Sequence, residues 1–354
     1  MIGSPPAPTL EVGAHVELDS VELWVGDLAQ TVGVLTSKCG FACDETALEA
    51  RPDGQAVALR WGEVNFVIRQ GTSVTDPIAR HVAIHGDGVG DVALVCDEIG
   101  SIVARALDVG LKPSFQGGCA RVDLLGDGTI LHSLRERRVV SRSVPNRRRD
   151  GSQMRGVDHV TYCLPWGTLD GVARIYREVF GLEEVHNEDC VEIGDSATGM
   201  RSMVLRSQRG FTVVLTEPIS SSSNGQTSHF VRAHAGPGVQ HVALACDDLI
   251  ETVGVLRSKG VDFLHVPEEH LQRSHQRLRD RLLPWDALCQ HEILVDADQE
   301  GVLFQIFTRP ILQRSFFLEL IHRAGATGFG GTNVRALFAA LQAAARDCPE
   351  EVGR

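Results

Sequence analysis

The chain has 354 residues, 43% apolar and 23% charged, the balance of a soluble globular protein with room for two domains. A formal net charge of −12 argues against non-specific binding to nucleic acid or to anionic membranes. No stretch approaches the ~20 consecutive apolar residues of a membrane span, and the opening MIGSPPAPTLEVG carries no secretory pattern, so a cytoplasmic protein is expected.

Four related segments follow in chain order. Asp19–Phe41 opens with alternating apolar residues, passes an acidic residue and continues with helical periodicity, and Ala56–Val67 reads as a later strand. Gly88–Leu111 repeats the plan, with Asp97 and Glu98 as the acidic cap. The Arg-rich RERRVVSRSVPNRRRDGSQ that follows has no interleaved aromatics and reads as an exposed linker rather than a nucleic-acid site, with the linker proper at 136–153. Asp158–Leu182 starts the third copy, continued by strand-like runs at Ser202–Leu205 and Phe211–Leu215. The fourth, Gly238–Val261 with its cap at Asp247-Asp248, matches the second most closely, and Glu292–Val295, Val302–Phe307 and Phe316–Ile321 follow as strands. Gly325, Gly328, Gly330 and Gly331 then precede a helical run from Thr332 to Arg346, and these glycines permit hinge conformations.

Each copy reads as a βαβββ unit, two per half. That α+β plan is the one of the vicinal oxygen chelate fold, in which paired units curl their sheets into open barrels around a cup. The halves are expected at 14–135 and 154–346. Nine cysteines are scattered without a CxxC pair, and they read as small apolar residues rather than as disulfides or a zinc site at Cys39/Cys43.

Comparing the copies isolates the chemistry. His159 stands where the first copy has Ser20, and His241 stands where the second has Asp91. Two imidazoles at symmetry-equivalent strand positions can enter one cup. Glu319 lies in an apolar run, where a carboxylate is costly to bury unless paired or bound to metal, and strand alternation puts it on the face of Phe317. Two His and one carboxylate form the facial triad of non-haem Fe(II) oxygenases, with Zn2+ or Mn2+ as other candidates. The N-terminal half lacks the donors and reads as a degenerate copy without metal.

At these residues the chain resembles the 4-hydroxyphenylpyruvate dioxygenase and 4-hydroxymandelate synthase family, through GPGVQHVAL (236–244), LFQIFTRP (303–310) and FFLELIHRAGATGFGGTNVRALF (316–338). The resemblance implies that His159, His241 and Glu319 bind Fe(II), and that the C-terminal helix closes the cup as a lid. It implies an arylpyruvate and O2 as substrates, the arylpyruvate supplying its own 2-oxo acid, in aromatic amino acid metabolism or antibiotic biosynthesis. Ring attack would give homogentisate, and benzylic hydroxylation 4-hydroxymandelate. Ser202, Gln226, Gln240 and Gln305 match the family's polar substrate positions, and Phe307, Phe317 and Phe329 match its aromatic wall.

Three positions depart from the homogentisate-forming pattern. Thr216-Glu217-Pro218 replaces Asn-Glu-Pro, Asn333-Val334 replaces Asn-Phe, and Glu269-His270-Leu271 stands where a Tyr pair is usual. Val334 is similar to the mandelate-forming members, which makes 4-hydroxymandelate the expected product. An extradiol catechol dioxygenase would need an acid/base His or Tyr near the metal, and the only tyrosines are Tyr162 and Tyr176. A non-enzymatic binding protein is the remaining alternative. Neither nucleic acid nor membrane is expected as a partner, and a homo-oligomer is left open.

Overall fold

In the computed structural model, which describes residues 15–44, 55–116, 118–137, 154–185, 198–312 and 316–347, all four copies form βαβββ units. The first is β1 (Glu17–Trp24), α1 (Leu28–Ser37), β2 (Ala42–Cys43), β3 (Gln55–Trp61) and β4 (Val64–Gln70). Helix α2 (Pro77–His85) leads to β5 (Gly88–Cys96), α3 (Ile99–Asp108), β6 (Ser114–Gln116), β7 (Cys119–Asp123) and β8 (Leu131–Glu136). The third unit is β9 (Met154–Cys163), α4 (Leu169–Phe180), β10 (Glu183–Glu184), β11 (Met200–Arg206) and β12 (Thr212–Pro218). After α5 (Gln226–Ala233) come β13 (Gly238–Cys246) and α6 (Leu249–Ser258), then two inserted helices, α7 (Glu268–Arg277) and α8 (Trp285–Gln290). Strands β14 (Leu294–Ala297), β15 (Val302–Phe307) and β16 (Phe317–Ala324) close the unit, and α9 (Gly331–Asp347) ends the described chain.

Each half is one eight-stranded sheet, ordered β2-β3-β4-β1-β5-β8-β7-β6 and β10-β11-β12-β9-β13-β16-β15-β14. The first strands of two units meet antiparallel at the centre, β1 with β5 and β9 with β13. Each is flanked by a parallel partner from its own unit. The two units of a half are thus related through the central pair, and equivalent residues face one cup.

Local chemistry sets the helix starts. Asp27 accepts from Gln30 N at 2.8 Å, Asp76 from Ile78 N at 2.8 Å with Pro77 at the first helical position, and Asp248 from Glu251 N at 2.9 Å. The cap expected at Asp97-Glu98 differs: Glu98 sits at the N-cap without a side-chain bond, and Asp97 is drawn into ion pairs with Arg137 and Arg209. Helices α2, α5, α7 and α8 have no counterpart in the sequence reading. α7, EEHLQRSHQR, has only Leu271 and Ser274 buried, too few apolar residues to show a stripe.

One apolar core runs through both halves, from Val16 to Leu320, with Trp61, Phe66, Tyr176 and Phe180 among its largest fully buried side chains. Polar links join the halves: His132 Nε2 with Tyr176 Oη at 2.8 Å, Arg105 Nε to Val179 O at 2.8 Å and Ser207 Oγ to Val16 O at 2.7 Å. Gly62, at φ +61°, lies so close to Met154 that a Cβ would meet its carbonyl oxygen at 2.2 Å.

The start of the expected linker is structured. Arg135 and Glu136 belong to β8, and Arg135 and Arg137 pair with Asp19 and Glu17, each at 2.7 Å. Residues 138–153 lie outside the described residues. Cys39, Cys96, Cys163 and Cys246 are buried as read from the sequence, whereas Cys43 and Cys289 are exposed. Among the described residues no helix is long and apolar enough to cross a membrane.

Candidate metal centre

His159 on β9, His241 on β13 and Glu319 on β16 converge, with one ligand atom from each lying within 4.8 Å of the others. The register explains this. Ala243 pairs with both His159 and Glu319 in neighbouring strands, and His241 pairs with Thr161 and Phe317. Glu319 Oε2 stands 3.4 Å from His159 Nε2 and 3.3 Å from His241 Nε2. Donors about 2.0–2.2 Å from one ion lie about this far apart when they subtend slightly more than a right angle.

Both histidines follow a break in strand register. Asp158 and Gln240 are extra residues in the β9·β13 pairing, each immediately before a histidine. The bulge lets Gln240 and His241, neighbours in sequence, both line the cup instead of facing opposite sides. It also gives each imidazole a partner. His159 Nδ1 donates to Asp158 Oδ1 at 2.8 Å, and His241 Nδ1 donates to Gln240 Oε1 at 3.2 Å. With Nδ1 donating to these acceptors, each Nε2 faces Glu319 and the place a shared ion would take.

The carboxylates are held in turn. Arg323 on β16 grips Asp158 with two bonds, Nε to Oδ2 at 2.7 Å and Nη2 to Oδ1 at 2.9 Å, and lies 4.9 Å above the Phe329 ring. Gln305 Nε2 donates to Glu319 Oε1 at 2.7 Å, and Asn333 Nδ2 donates to Gln305 Oε1 at 2.8 Å. A chain of amides therefore connects the first turn of α9 to the carboxylate. Gly330, at φ +70°, makes room for it: a Cβ there would meet Gln305 Oε1 at 2.5 Å.

Electrostatics follow from burial. Glu319 would rise on burial, but His159 and His241 hold it down to about 2. Burial opposes a charge on His159 too, yet Glu319 and Asp158 outweigh it and push the imidazole up to about 9. His241 is lowered by burial and by the neighbouring His159. Once a bound ion displaces the proton that Glu319 and Asp158 favour on His159, two imidazoles and one carboxylate fit a divalent transition metal.

The cup and its solvent-open mouth span about 640 Å³ beside the triad. Of the positions singled out from the sequence, Ser202, Thr216, Gln226, Gln240, Gln305, Phe307, Phe329 and Val334 line it beside the three ligand-type residues. Phe317 does not: it stacks on His241 at 4.9 Å and 19°, bracing the ring. Asn333 lies behind Gln305 rather than on the wall. Thr216 spends its hydroxyl on Tyr162 O, at 3.0 Å. The sequence reading missed Thr161, Met200, Val204, Val214 and Leu337, which also line the cup. Most sit two residues from a position it identified, the strand period, and Leu337 sits one helical turn from Val334. Two buried polar atoms of the cup have no protein partner, Gln226 Oε1 and Thr161 Oγ1. Helix α9 roofs it, with Leu337 packing among Leu264, Phe307 and Phe317.

Tyr162 and Tyr176 are buried on the helix side of β9, Tyr176 bonding His132, and neither lines the cup. The acid/base tyrosine needed by the extradiol alternative is not at the triad.

In the N-terminal half the equivalent positions are Ser20, Asp91 and Ser133. Asp91 accepts from Ser133 N at 2.9 Å and Ser133 Oγ at 2.6 Å, and pairs with Arg121 Nε at 3.1 Å. Arg121 faces Ser133 as Phe307 faces Glu319. That cluster satisfies itself.

Residues 156–306 match the family described as the Glyoxalase/Bleomycin resistance protein/Dioxygenase superfamily. The 4-hydroxyphenylpyruvate dioxygenase of Yarrowia lipolytica is 27% identical over 365 residues, covering 92% of this chain and 91% of its own. The Sus scrofa enzyme of the same name is 27% identical over 366 residues, covering 94% and 92%. A substituted variant of 4-hydroxymandelate synthase from Streptomyces coelicolor superposes with a TM-score of 0.79 at 31% identity, covering 94% of this chain and 99% of its own. Shared fold, near-complete coverage and a convergent His-His-Glu set together place the chain in the 4-hydroxyphenylpyruvate dioxygenase and 4-hydroxymandelate synthase family of vicinal oxygen chelate enzymes, which are non-haem iron dioxygenases.

Proposed function

We propose that the protein is an Fe(II)-dependent dioxygenase that oxidatively decarboxylates 4-hydroxyphenylpyruvate and hydroxylates the benzylic carbon, giving 4-hydroxymandelate and CO2. The observation that carries this reading is the His159–His241–Glu319 convergence at the floor of a cup whose ring-facing wall has Val334. His159, His241 and Glu319 would hold the iron. When bound, the iron supplies a chelation site for the 2-oxo carboxylate and the electrons that activate O2.

The remaining work falls to the chain. Asp158 and Gln240 fix the imidazole tautomers, and Gln305 with Asn333 fixes the carboxylate. Phe307 and Phe329 confine the aryl ring, while Gln226 and Thr161 offer unpartnered polar atoms to the substrate's oxygen-bearing ends. Helix α9 excludes water from the reacting centre. Residues 14–135 act as a metal-free companion to 154–346, consistent with the self-satisfied Asp91 cluster. This reading takes the enzyme to be cytoplasmic and to serve aromatic amino acid metabolism or antibiotic biosynthesis.

Homogentisate and 4-hydroxymandelate are isomers: the first requires attack on the ring with migration of the side chain, the second attack on the benzylic carbon. The names of the 27%-identical relatives favour homogentisate as the second reading. A Phe at 334 would press on the substrate ring, and aromatic contacts contribute ~0.5–1.5 kcal/mol, against about 1.4 kcal/mol for a tenfold change in product ratio. Chromatographic separation of products after incubating iron-loaded protein with 4-hydroxyphenylpyruvate and O2 should show mainly 4-hydroxymandelate. Val334→Phe should raise the ring-hydroxylated share. Homogentisate as the dominant wild-type product would refute the product assignment.

A further inference from the structure

A second cavity, spanning about 440 Å³ with its opening to solvent, lies on the far side of Asn333 from the cup, between α7, β14 and α9. Its lining includes His270, Arg273 and Arg335, with Leu294 and Ala336 as an apolar wall. Arg335 is exposed and makes no ion pair among the described residues. Arg273 has a Glu269 oxygen at 3.5 Å, but that carboxylate is 82% exposed, a helix-surface pair of little strength. Asn333 supplies the independent observation. It is 1% exposed, its Nδ2 is committed to Gln305, and its Oδ1 has no hydrogen-bond partner among the described residues. A buried amide oxygen left unpaired is costly, so a donor supplied by an occupant of the cavity would stabilise it.

These features define a ligand with three parts. Two guanidinium groups match a carboxylate, the Asn333 oxygen matches a hydroxyl donor beside it, and Leu294 with Ala336 matches a hydrocarbon or aryl body. We infer that this cavity binds an aryl 2-hydroxy carboxylate, its carboxylate on Arg273 and Arg335 and its hydroxyl donating to Asn333 Oδ1. Under the proposed function, on which this part rests, that ligand is the reaction's own product, held one residue outside the cup. Asn333 also holds Gln305, which holds Glu319, so an occupant is connected to the triad by the same amide chain. Inhibition by 4-hydroxymandelate then has a component that excess substrate does not relieve.

The test is a calorimetric titration of the full-length iron-loaded protein, without O2 and with the cup saturated by 4-hydroxyphenylpyruvate. One equivalent of 4-hydroxymandelate should still bind. The double variant Arg273→Met/Arg335→Met should bind it roughly tenfold or more weakly, with its melting temperature and initial rate kept. For the wild type, 4-hydroxyphenylacetate, which lacks the hydroxyl, should be weaker by roughly tenfold. No binding to the saturated wild type, or equal binding by the double variant, overturns the assignment. The titration does not depend on which product the enzyme makes. A homogentisate-forming protein that loses 4-hydroxymandelate binding in the double variant would sink the product reading and keep the cavity.

Discussion

Asp158 offers the most direct probe of how the metal centre is organised, because Asn is nearly its isostere. Asp158→Asn keeps an oxygen at the position that now faces His159 or Arg323, but it removes the charge shared by both. In the parent, Asp158 is held well below the usual carboxylate range: burial alone would raise it, and Arg323 and His159 outweigh that effect. Two distinct losses follow. The His159 ring loses an anionic acceptor at 2.8 Å, and outer partners of this kind are worth about 10–100-fold in metal affinity, ~1.4–2.7 kcal/mol. The ion pair to Arg323 is weakened as well. Breaking a buried pair costs ~3–5 kcal/mol, and the partial exposure of Arg323 together with the surviving neutral acceptor brings this to about 1–3 kcal/mol. Anaerobic Fe(II) titration against a competing chelator would measure the first loss, and thermal unfolding of the metal-free protein the second. A variant that binds Fe(II) within about twofold of the parent, while melting lower, would show that Asp158 serves the fold and not the metal.

Other outcomes follow from the same geometry. Glu319→Ala removes the only carboxylate of the triad and should lose most bound iron and turnover, measured as iron per chain after desalting; near-stoichiometric iron would exclude Glu319 as a ligand. Gly330→Ala places a Cβ 2.5 Å from Gln305 Oε1 at a left-handed backbone position, itself worth ~1–2 kcal/mol, so turnover should fall further than iron content. His81, 7% exposed and packed beside His85 and His234, is pushed down to about 3, first by burial and then by those two rings. Its folded value lies below that of the unfolded chain, so stability is full above about pH 6.5 and declines as pH falls toward 3. Denaturant midpoints at pH 6.5 and 4.5 should differ less in His81→Gln than in the parent, and an equal difference would assign the acid sensitivity elsewhere, His132 being next.

Much of this was legible in the sequence because the chain repeats itself. Four copies of one pattern gave the units, and the contrasts Ser20/His159 and Asp91/His241 pointed into one cup without any structural information. Glu319 stood out as a charge in an apolar strand. Illegible were features that depend on departures from regular periodicity. Strand alternation places Gln240 opposite His241, and only the extra residue in β13 turns both inward. Asp158 and Arg323 are 165 positions apart, and nothing in either neighbourhood announces the pair. The polar helix α7 lacked the apolar stripe that pattern reading needs, which hid the second cavity with it.

The register breaks have a further meaning. Strands β1 and β5 carry them too, at Asp19 and Gly90, immediately before Ser20 and Asp91. The half without the two histidines has thus kept the backbone irregularity that, in the other half, presents them. A bulge fixes direction, not chemistry, so the same main-chain geometry can present either set of side chains. Building a site in the N-terminal half would then demand no re-threading of strands. It would demand two imidazoles, a carboxylate at Ser133, and the eviction of Arg121, whose guanidinium now sits beside Asp91 where the working half has the ring of Phe307.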